Sequence, residues 1–233
     1  MIRQTLAPTL ALLLGALPAA AATVSASSEV TLTVLSATEG LVFDYAPFFQ
    51  GFESAFGAST AATSSDVASG DLSSTTRAAA SAVATPSGDA VALIDSFETA
   101  FVENASDAPG TLVLEVAYEL SASAAADGPL EFALGSAAFE IFEVLPQTGK
   151  SVTILSLLVE DAPGGGFSGS PSGLPASLSG TEVLTFDFAP FAVREFDVAQ
   201  DAFAFAVAAI PVPATGGLLL VALGAAAGLR RRP

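Results

Sequence analysis

Short runs of alternating apolar and polar residues, separated by turns rich in Gly and Pro, most restrict what this chain can fold into. In the run 112–120 the alternation places Glu115 and Glu119 on one face and Val116 and Leu120 on the other, as in a half-buried β-strand. Similar apolar runs occur at 30–35, 139–142, 152–159, 183–188 and 193–207, and Phe132 continues the theme. Turn-forming clusters separate them at 107–110, 127–129, 147–149 and 161–166.

This punctuation predicts a mainly β protein, with an antiparallel β-sandwich or jelly-roll-like domain. Three segments leave alternatives open. Residues 54–89 are rich in Ala, Ser, Thr and Gly, and form a long loop or a region of small-residue strands. Within them, residues 78–84 also allow a helix. Residues 168–180 are rich in Gly, Ser and Pro and predict a flexible loop.

The residue types that the chain lacks exclude several functions. It has no Cys, no His and no Trp among its 233 residues. Ser-His-Asp and Cys-His catalysis are therefore impossible, and a zinc site of the usual kind is disfavoured. No disulfide can form, so the core alone must hold the fold. The prediction is that the protein is not an enzyme.

The charge is strongly negative and unevenly placed. All 24 acidic residues lie between Glu29 and Asp201, a stretch that holds only three basic residues. Such a field repels nucleic acid and anionic lipid, so no nucleic-acid partner is expected. The simplest interpretation is a solvated acidic surface.

The N-terminus has the layout of a cleavable signal peptide. Arg3 supplies a positive charge, residues 6–17 form a short apolar core, and Pro18 precedes the small residues 19–22. The apolar core is too short for a comfortable membrane span. We predict cleavage after about Ala22, which divides the chain into a signal peptide (1–22), an acidic β-rich extracellular domain (23–209) and a C-terminal tail (210–233).

The tail has three parts in a fixed order: a Pro-containing motif, an apolar helix from about Gly216 to Leu229, and an Arg cluster. The positive-inside rule puts the Arg cluster in the cytoplasm and everything upstream outside. The apolar run is about 14 residues, or ~21 Å of helix, which is short for a hydrocarbon core of ~30 Å. The motif is Ile210, Pro211, Val212, Pro213 and Ala214, and the cluster is Arg230, Arg231 and Arg232.

This tail resembles the PEP-CTERM-type sorting signals that exosortase-family membrane proteases read, in their VPLPA variant. Ile210 replaces the first Val of that variant and Val212 replaces its Leu; the Pro-Glu-Pro form itself is absent. The resemblance covers residues 210–233 only. It implies that signal peptidase and an exosortase-like protease are partners during export, that the inner membrane is a transient one, and that the tail is processed. The alternative is that the tail is kept as a plain C-terminal membrane anchor. The expected location is the cell envelope or the extracellular space, with surface polysaccharide as a further partner.

One sequence is repeated: residues 43–48 (Phe-Asp-Tyr-Ala-Pro-Phe) return at 186–191 as Phe-Asp-Phe-Ala-Pro-Phe. The two copies predict equivalent strand-to-turn corners, each ended by its Pro, with the aromatic residues in the core.

Only carboxylate pairs could perform acid–base chemistry here. The closest are Glu160 with Asp161, Glu195 with Asp197 (which share a strand face), and Glu140 with Glu143. No EF-hand loop is present, no cofactor is predicted, and the turn acids Asp127 and Asp161 would bind calcium only weakly. Asn104 begins a glycosylation sequon.

The predicted function is that of a non-enzymatic surface or extracellular-matrix protein of the kind found in biofilms. The alternatives are a carbohydrate- or calcium-binding module and a carboxylate-pair hydrolase.

Overall fold

The computed structural model describes residues 22–56, 59–70, 73–85, 88–126, 131–145, 148, 150–163 and 174–208, which form ten β-strands. Within these residues no helix is long and apolar enough to cross a membrane. The prediction of a mainly β, antiparallel domain is confirmed. The strands are β1 (Ala22–Ala37), β2 (Leu41–Phe56), β3 (Thr60–Gly70), β4 (Ser73–Ala84), β5 (Asp89–Asn104), β6 (Gly110–Ala126), β7 (Phe132–Leu145), β8 (Lys150–Asp161), β9 (Ser177–Phe188) and β10 (Val193–Val207).

The strands form two five-stranded sheets. Sheet A has the order β3-β4-β1-β6-β9, and sheet B has the order β2-β5-β10-β7-β8. Only the β3–β4 and β7–β8 connections join neighbours in the same sheet; the other connections between consecutive strands cross from one sheet to the other. The first and last described strands each lie at the centre of a sheet, and the buried residues of both sheets form a shared hydrophobic cluster. The sheets therefore pack face to face.

The core changes in composition along the strands. At one end it is filled almost entirely by alanine, including Ala82, Ala92 and Ala204, whereas the other end contains Phe186, Phe196 and other large side chains. The sheets are very close at the alanine end, because a Cβ added to Gly135 of sheet B would lie 3.0 Å from Val24 Cγ1 and 3.2 Å from the Ser25 carbonyl oxygen of sheet A. Side chains larger than alanine do not fit between backbones at this separation.

The two ends of the described domain lie at this alanine end. Ala22 pairs with Ala84, the last residue of β4, and the backbone N–H of Ala208 donates to the carbonyl of Gly88. Thr85 and Gly88 belong to the short connection between β4 and β5. We call this end of the domain, where the chain enters and leaves, the proximal end, and the opposite end the distal end.

Several predictions made from local sequence need correction. Residues 78–84 are not helical but belong to β4, where every second residue, an alanine at 78, 80, 82 and 84, is buried against sheet B. The described part of 54–89 forms strands β3 and β4 and the start of β5, so the small-residue strand alternative is confirmed and the long loop is wrong. The predicted loop at 168–180 is wrong for residues 177–180, which begin β9.

The corner predicted at Pro47 is also wrong. Pro47 lies inside β2 opposite Glu98, whereas Pro190 follows the end of β9 as predicted. A proline is tolerated at Pro47 because β2 is an edge strand, whose outer side needs no hydrogen-bond donors. Phe186 and Phe188 are buried in the distal core, with Phe43 packed against them, which confirms the predicted core role for these three. The same prediction is wrong for Phe191, which is exposed.

The predicted signal peptide, apart from Ala22 at its end, lies outside the described residues. So do the sorting motif Ile210–Ala214, the tail helix and the Arg cluster. Val207 ends β10, and Ala208 is the last described residue.

Candidate functional site

Three loops meet at the distal end: residues 38–40, 105–109 and 189–192. Backbone hydrogen bonds connect them, from Ala105 N to the Gly40 carbonyl (2.8 Å) and from Phe191 N to the Ser106 carbonyl (3.2 Å). Gly40 has φ 96°, and an added Cβ would lie 3.0 Å from that of Ser106, so both the turn and the contact require glycine. The three loops therefore form one connected surface.

Asn104 holds this loop surface together from below. Its side-chain Nδ2 donates to the carbonyls of Ala108 (2.8 Å) and Ala189 (3.0 Å), and its Oδ1 accepts from Oγ of Ser106 (2.8 Å). Asn104 is fully buried. This placement is incompatible with Asn104 being a glycan acceptor on the folded domain, because the amide nitrogen is enclosed and already donates two hydrogen bonds.

An apolar patch faces solvent beside these loops, on the outer face of sheet B. Phe191 is 66% exposed and has φ 57°, a left-handed conformation that non-glycine residues rarely adopt. Val42, Phe101 and Val193 are also exposed, and register places Val42 and Val193 on either side of Glu103. We call these four apolar residues the distal patch; Glu103 lies between two of them.

Arg194 closes the distal core beneath this patch. Its Nε and Nη2 bind the Glu143 carboxylate at 2.7 and 2.6 Å, a two-pronged ion pair. Its guanidinium carbon also lies 5.2 to 5.3 Å from the ring centres of Phe186, Phe188 and Phe196. Because Phe186 and Phe188 belong to sheet A, this side chain connects the two sheets.

A polar layer crosses the middle of the core. Glu98 of sheet B is buried and accepts hydrogen bonds from Ser74 Oγ (2.9 Å) and Thr76 Oγ1 (3.1 Å) of sheet A. Gln200 is also buried, and neither side-chain amide atom has a hydrogen-bond partner among the residues that the structure describes. Distal to this layer, a small apolar cavity of about 30 Å³ is lined only by hydrophobic residues, so it offers no group for chemistry.

Two of the three predicted carboxylate pairs are not brought together in the structure. Glu160 and Asp161 are consecutive in β8 and therefore point to opposite faces. Asp161 Oδ2 accepts a hydrogen bond from the Ala124 N–H (2.9 Å). Glu140 is exposed and bound by Ser156 Oγ, whereas Glu143, three positions along the strand, is held by Arg194.

Glu195 and Asp197 do share the outer face of β10, as predicted, but they have different surroundings. Asp197 is buried and accepts a 2.8 Å hydrogen bond from Thr99 Oγ1, while Glu195 is half-buried. Two residues along a strand are separated by about 6.6 Å. Across the described residues, no three acidic side chains converge as a metal-binding group.

The outer face of sheet A is covered by small polar side chains. Hydroxyl pairs connect its strands, such as Ser27 with Ser121 (2.8 Å) and Thr31 with Thr75 (2.9 Å). Arg77 binds Glu29, and this hydrogen bond lowers the pKa of the Glu29 carboxyl below its ordinary value.

The outer face of sheet B, in contrast, carries aromatic residues. In β10 the alanines at 202, 204 and 206 point into the core, while Phe203 and Phe205 point outward and stack with their ring centres 6.5 Å apart. Phe97 and Phe142 meet above Ala199 at 6.2 Å. The alternation in β10 was visible in the sequence, but which of its two faces is buried was not.

Between these aromatic groups lies an acidic row. Asp95 and Asp201 are directly opposite each other on β5 and β10, and Glu140 lies on the neighbouring strand β7. Burial, followed by repulsion from Asp95 and Glu140, raises the pKa of Asp201 above its ordinary value. The row separates the aromatic residues of the proximal half of the face from those of the distal half.

Comparisons with known proteins identify no family. No family model matches the sequence, and no curated protein matches it. Weak structural likenesses exist to the lysenin pore (10% identity, 69% of this chain and 49% of that one, TM-score 0.15). The secreted serine protease VesC from Vibrio cholerae is similar at 8% identity, covering 81% of this chain and 47% of that one, with TM-score 0.14. The chain spans about half the length of each of these structures, and neither likeness carries a functional argument.

Proposed function

We propose that the chain is a non-enzymatic exported protein of the cell surface or extracellular matrix, built as a jelly-roll-like β-sandwich and sorted through its C-terminal tail. Signal peptidase and an exosortase-like membrane protease are its partners during export, and it crosses the inner membrane. The mature protein is released from the envelope or attached to it.

The observation that carries this proposal is the position of the two domain ends. Ala22 and Ala208 both lie beside the β4–β5 connection, at the proximal end. A leader and a tail would therefore leave the domain on the same side, at the end opposite the distal loops. Cleavage near Pro213 would remove no described strand, because β10 ends at Val207.

The sandwich itself supports a structural role. Most connections cross between the sheets, as in jelly rolls, and the first and last strands are central rather than at an edge. Neither terminal strand can detach without breaking hydrogen bonds to two neighbours. Such a domain holds its shape without a disulfide.

Intact-mass measurement of the native, exported protein tests the proposal. We expect a mature chain whose new ends lie near Ala22 and Pro213. A native chain that still carries Arg230–Arg232 would contradict sorting by tail removal. Replacing Arg230, Arg231 and Arg232 by Ser should leave the folding of the domain unchanged and cause the precursor to accumulate.

The distal patch favours carbohydrate binding as a second candidate function. Exposed Phe101 and Phe191 offer apolar surface to a sugar ring, and the nearby carboxylates of Asp44 and Glu195, paired with Phe101 in the sheet, can accept hydrogen bonds from hydroxyl groups. A glycan array with the wild type and the F191A variant tests it. We expect binding that F191A abolishes, and an array without a bound glycan would reject this candidate.

A further inference from the structure

The proximal half of the outer face of sheet B carries an exposed aromatic patch. It occupies three successive rows of the sheet and consists of Phe52, Phe56, Leu93, Phe132, Phe203 and Phe205, which we call the proximal patch. Phe52 and Phe56 are 55% and 69% exposed. The rings of Phe132 and Phe205 lie 5.7 Å apart, so the patch is continuous across β7 and β10. Apolar patches of this kind mark surfaces that bind a protein or a membrane.

The carboxylates near the patch lie mostly at its edges, although the chain is strongly acidic. Among the described residues, Asp89 lies in the outermost row between Phe56 and Val207, Glu160 borders the patch on the edge strand β8, and Asp95 with Asp201 occupy the next row. In a symmetric dimer built on this face with its two-fold axis along the strands, the acidic rows of the two copies would be brought together. Like charges so placed disfavour that arrangement of the dimer.

The patch lies directly beside the point where the chain leaves the domain. Val207 pairs with Phe132, and Phe56 pairs with Asp89 next to the Gly88 that binds Ala208. Seven residues separate Ala208 from the predicted tail helix at Gly216. Extended, they span at most about 25 Å, whereas the three rows of the patch cover only about 13 Å.

We propose that the proximal patch rests on the surface of the lipid bilayer into which the tail is inserted, so that the domain lies against the membrane until it is processed. This inference rests on the proposed function. Aromatic and aliphatic side chains bind the headgroup–acyl boundary in proportion to the apolar area that they bury. The acidic border requires that the lipids beneath it be zwitterionic rather than anionic.

Site-specific fluorescence tests the contact, because the chain has no native cysteine. The full chain is reconstituted into phosphatidylcholine vesicles that contain a spin-labelled lipid quencher. A fluorophore is attached at S54C, within the patch rows, at S151C, an exposed serine on the distal half of the same face, or at L220C in the tail. We expect several-fold stronger quenching at S54C than at S151C, and strong quenching at L220C.

A further variant separates binding by the patch from simple proximity. With Phe52→Ser and Phe56→Ser added to S54C, quenching should fall to the S151C level, because both changes are at exposed positions and remove only the apolar contact. Quenching that persists, or that is equal at S54C and S151C while L220C is quenched, would overturn the membrane contact and leave the proposed function intact. An unquenched L220C would overturn the proposed function itself.

Discussion

Replacing Arg194 by Met should weaken the distal end of the domain substantially. The change keeps most of the apolar volume of the side chain. It removes the two-pronged ion pair with Glu143 and the cation–π contacts of the guanidinium with three phenylalanine rings. It also leaves Glu143, whose side chain is only 17% exposed, without its partner.

The expected loss is intermediate between two known limits. Breaking a fully buried ion pair costs about 3–5 kcal/mol, and an exposed pair contributes about 0–1 kcal/mol. Because the Arg194 side chain is 24% exposed, solvent screens part of the interaction, and we expect a loss of about 2 kcal/mol. With a urea dependence of about 2 kcal/mol/M, the unfolding midpoint should fall by about 1 M.

Urea unfolding followed by far-UV circular dichroism measures this shift. Arg77→Met is the matched control, since Arg77 also pairs with carboxylates, those of Glu29 and Asp66, but is half exposed on the outer face of sheet A. Its midpoint should be close to that of the wild type. A double-mutant cycle of R194M with E143Q isolates the pair, and the double variant should lose less than the sum of the two single losses. If R194M and R77M unfold at the same midpoint, the proposed role of Arg194 is refuted.

Three further predictions follow from the core, the acidic row and the loop surface. Gly135→Ala should lower the free energy of unfolding by about 1–3 kcal/mol, because the new Cβ would crowd Val24 and the Ser25 carbonyl. A calorimetric melting temperature equal to that of the wild type would contradict the close approach of the sheets. Asp201→Asn should raise the melting temperature at neutral pH and have less effect in acid. The folded-state pKa of Asp201 is raised, so the wild type loses stability as the pH rises from the ordinary Asp value through the raised one, and regains it as the pH falls. If the melting temperatures of the two proteins differ by the same amount from pH 3 to pH 7, this carboxyl is not the cause. Asn104→Ala should cost about 2–3 kcal/mol, since it removes the three side-chain hydrogen bonds that the buried Asn104 amide makes to Ala108, Ala189 and Ser106. Hydrogen exchange should quicken in the three distal loops before the rest, and uniform exchange across the domain would argue against a local role for Asn104.

Much of the fold follows from local pattern. The period-two alternation in 112–120 predicts both the strand β6 and its buried face, because Val116 and Leu120 are large and apolar while Glu115 and Glu119 carry charge. Turn residues at 107–110 predict the connection that precedes this strand. In such segments burial and charge favour the same arrangement, so the sequence alone is sufficient to predict the strand and its buried face.

The candidate surfaces depend on contacts between residues far apart in the chain. The distal loops meet because β1, β5 and β9 end at the same level. Arg194 binds Glu143, which lies fifty-one positions away in the chain on a different strand. No local pattern indicates such pairings. The export signals at the two ends are predicted from sequence alone and remain predictions, since they lie outside the described residues.

The clearest division between what the sequence determined and what the tertiary structure decided is found in β10. The sequence by itself determined that this segment alternates alanine with phenylalanine and is therefore a strand with two unlike faces. Hydrophobicity alone would bury the phenylalanines. Sheet A presents its own alanines at this end, however, and its backbone comes so close that only Ala202, Ala204 and Ala206 fit between the sheets. The phenylalanines therefore face outward, because packing space rather than hydrophobicity selects the buried face.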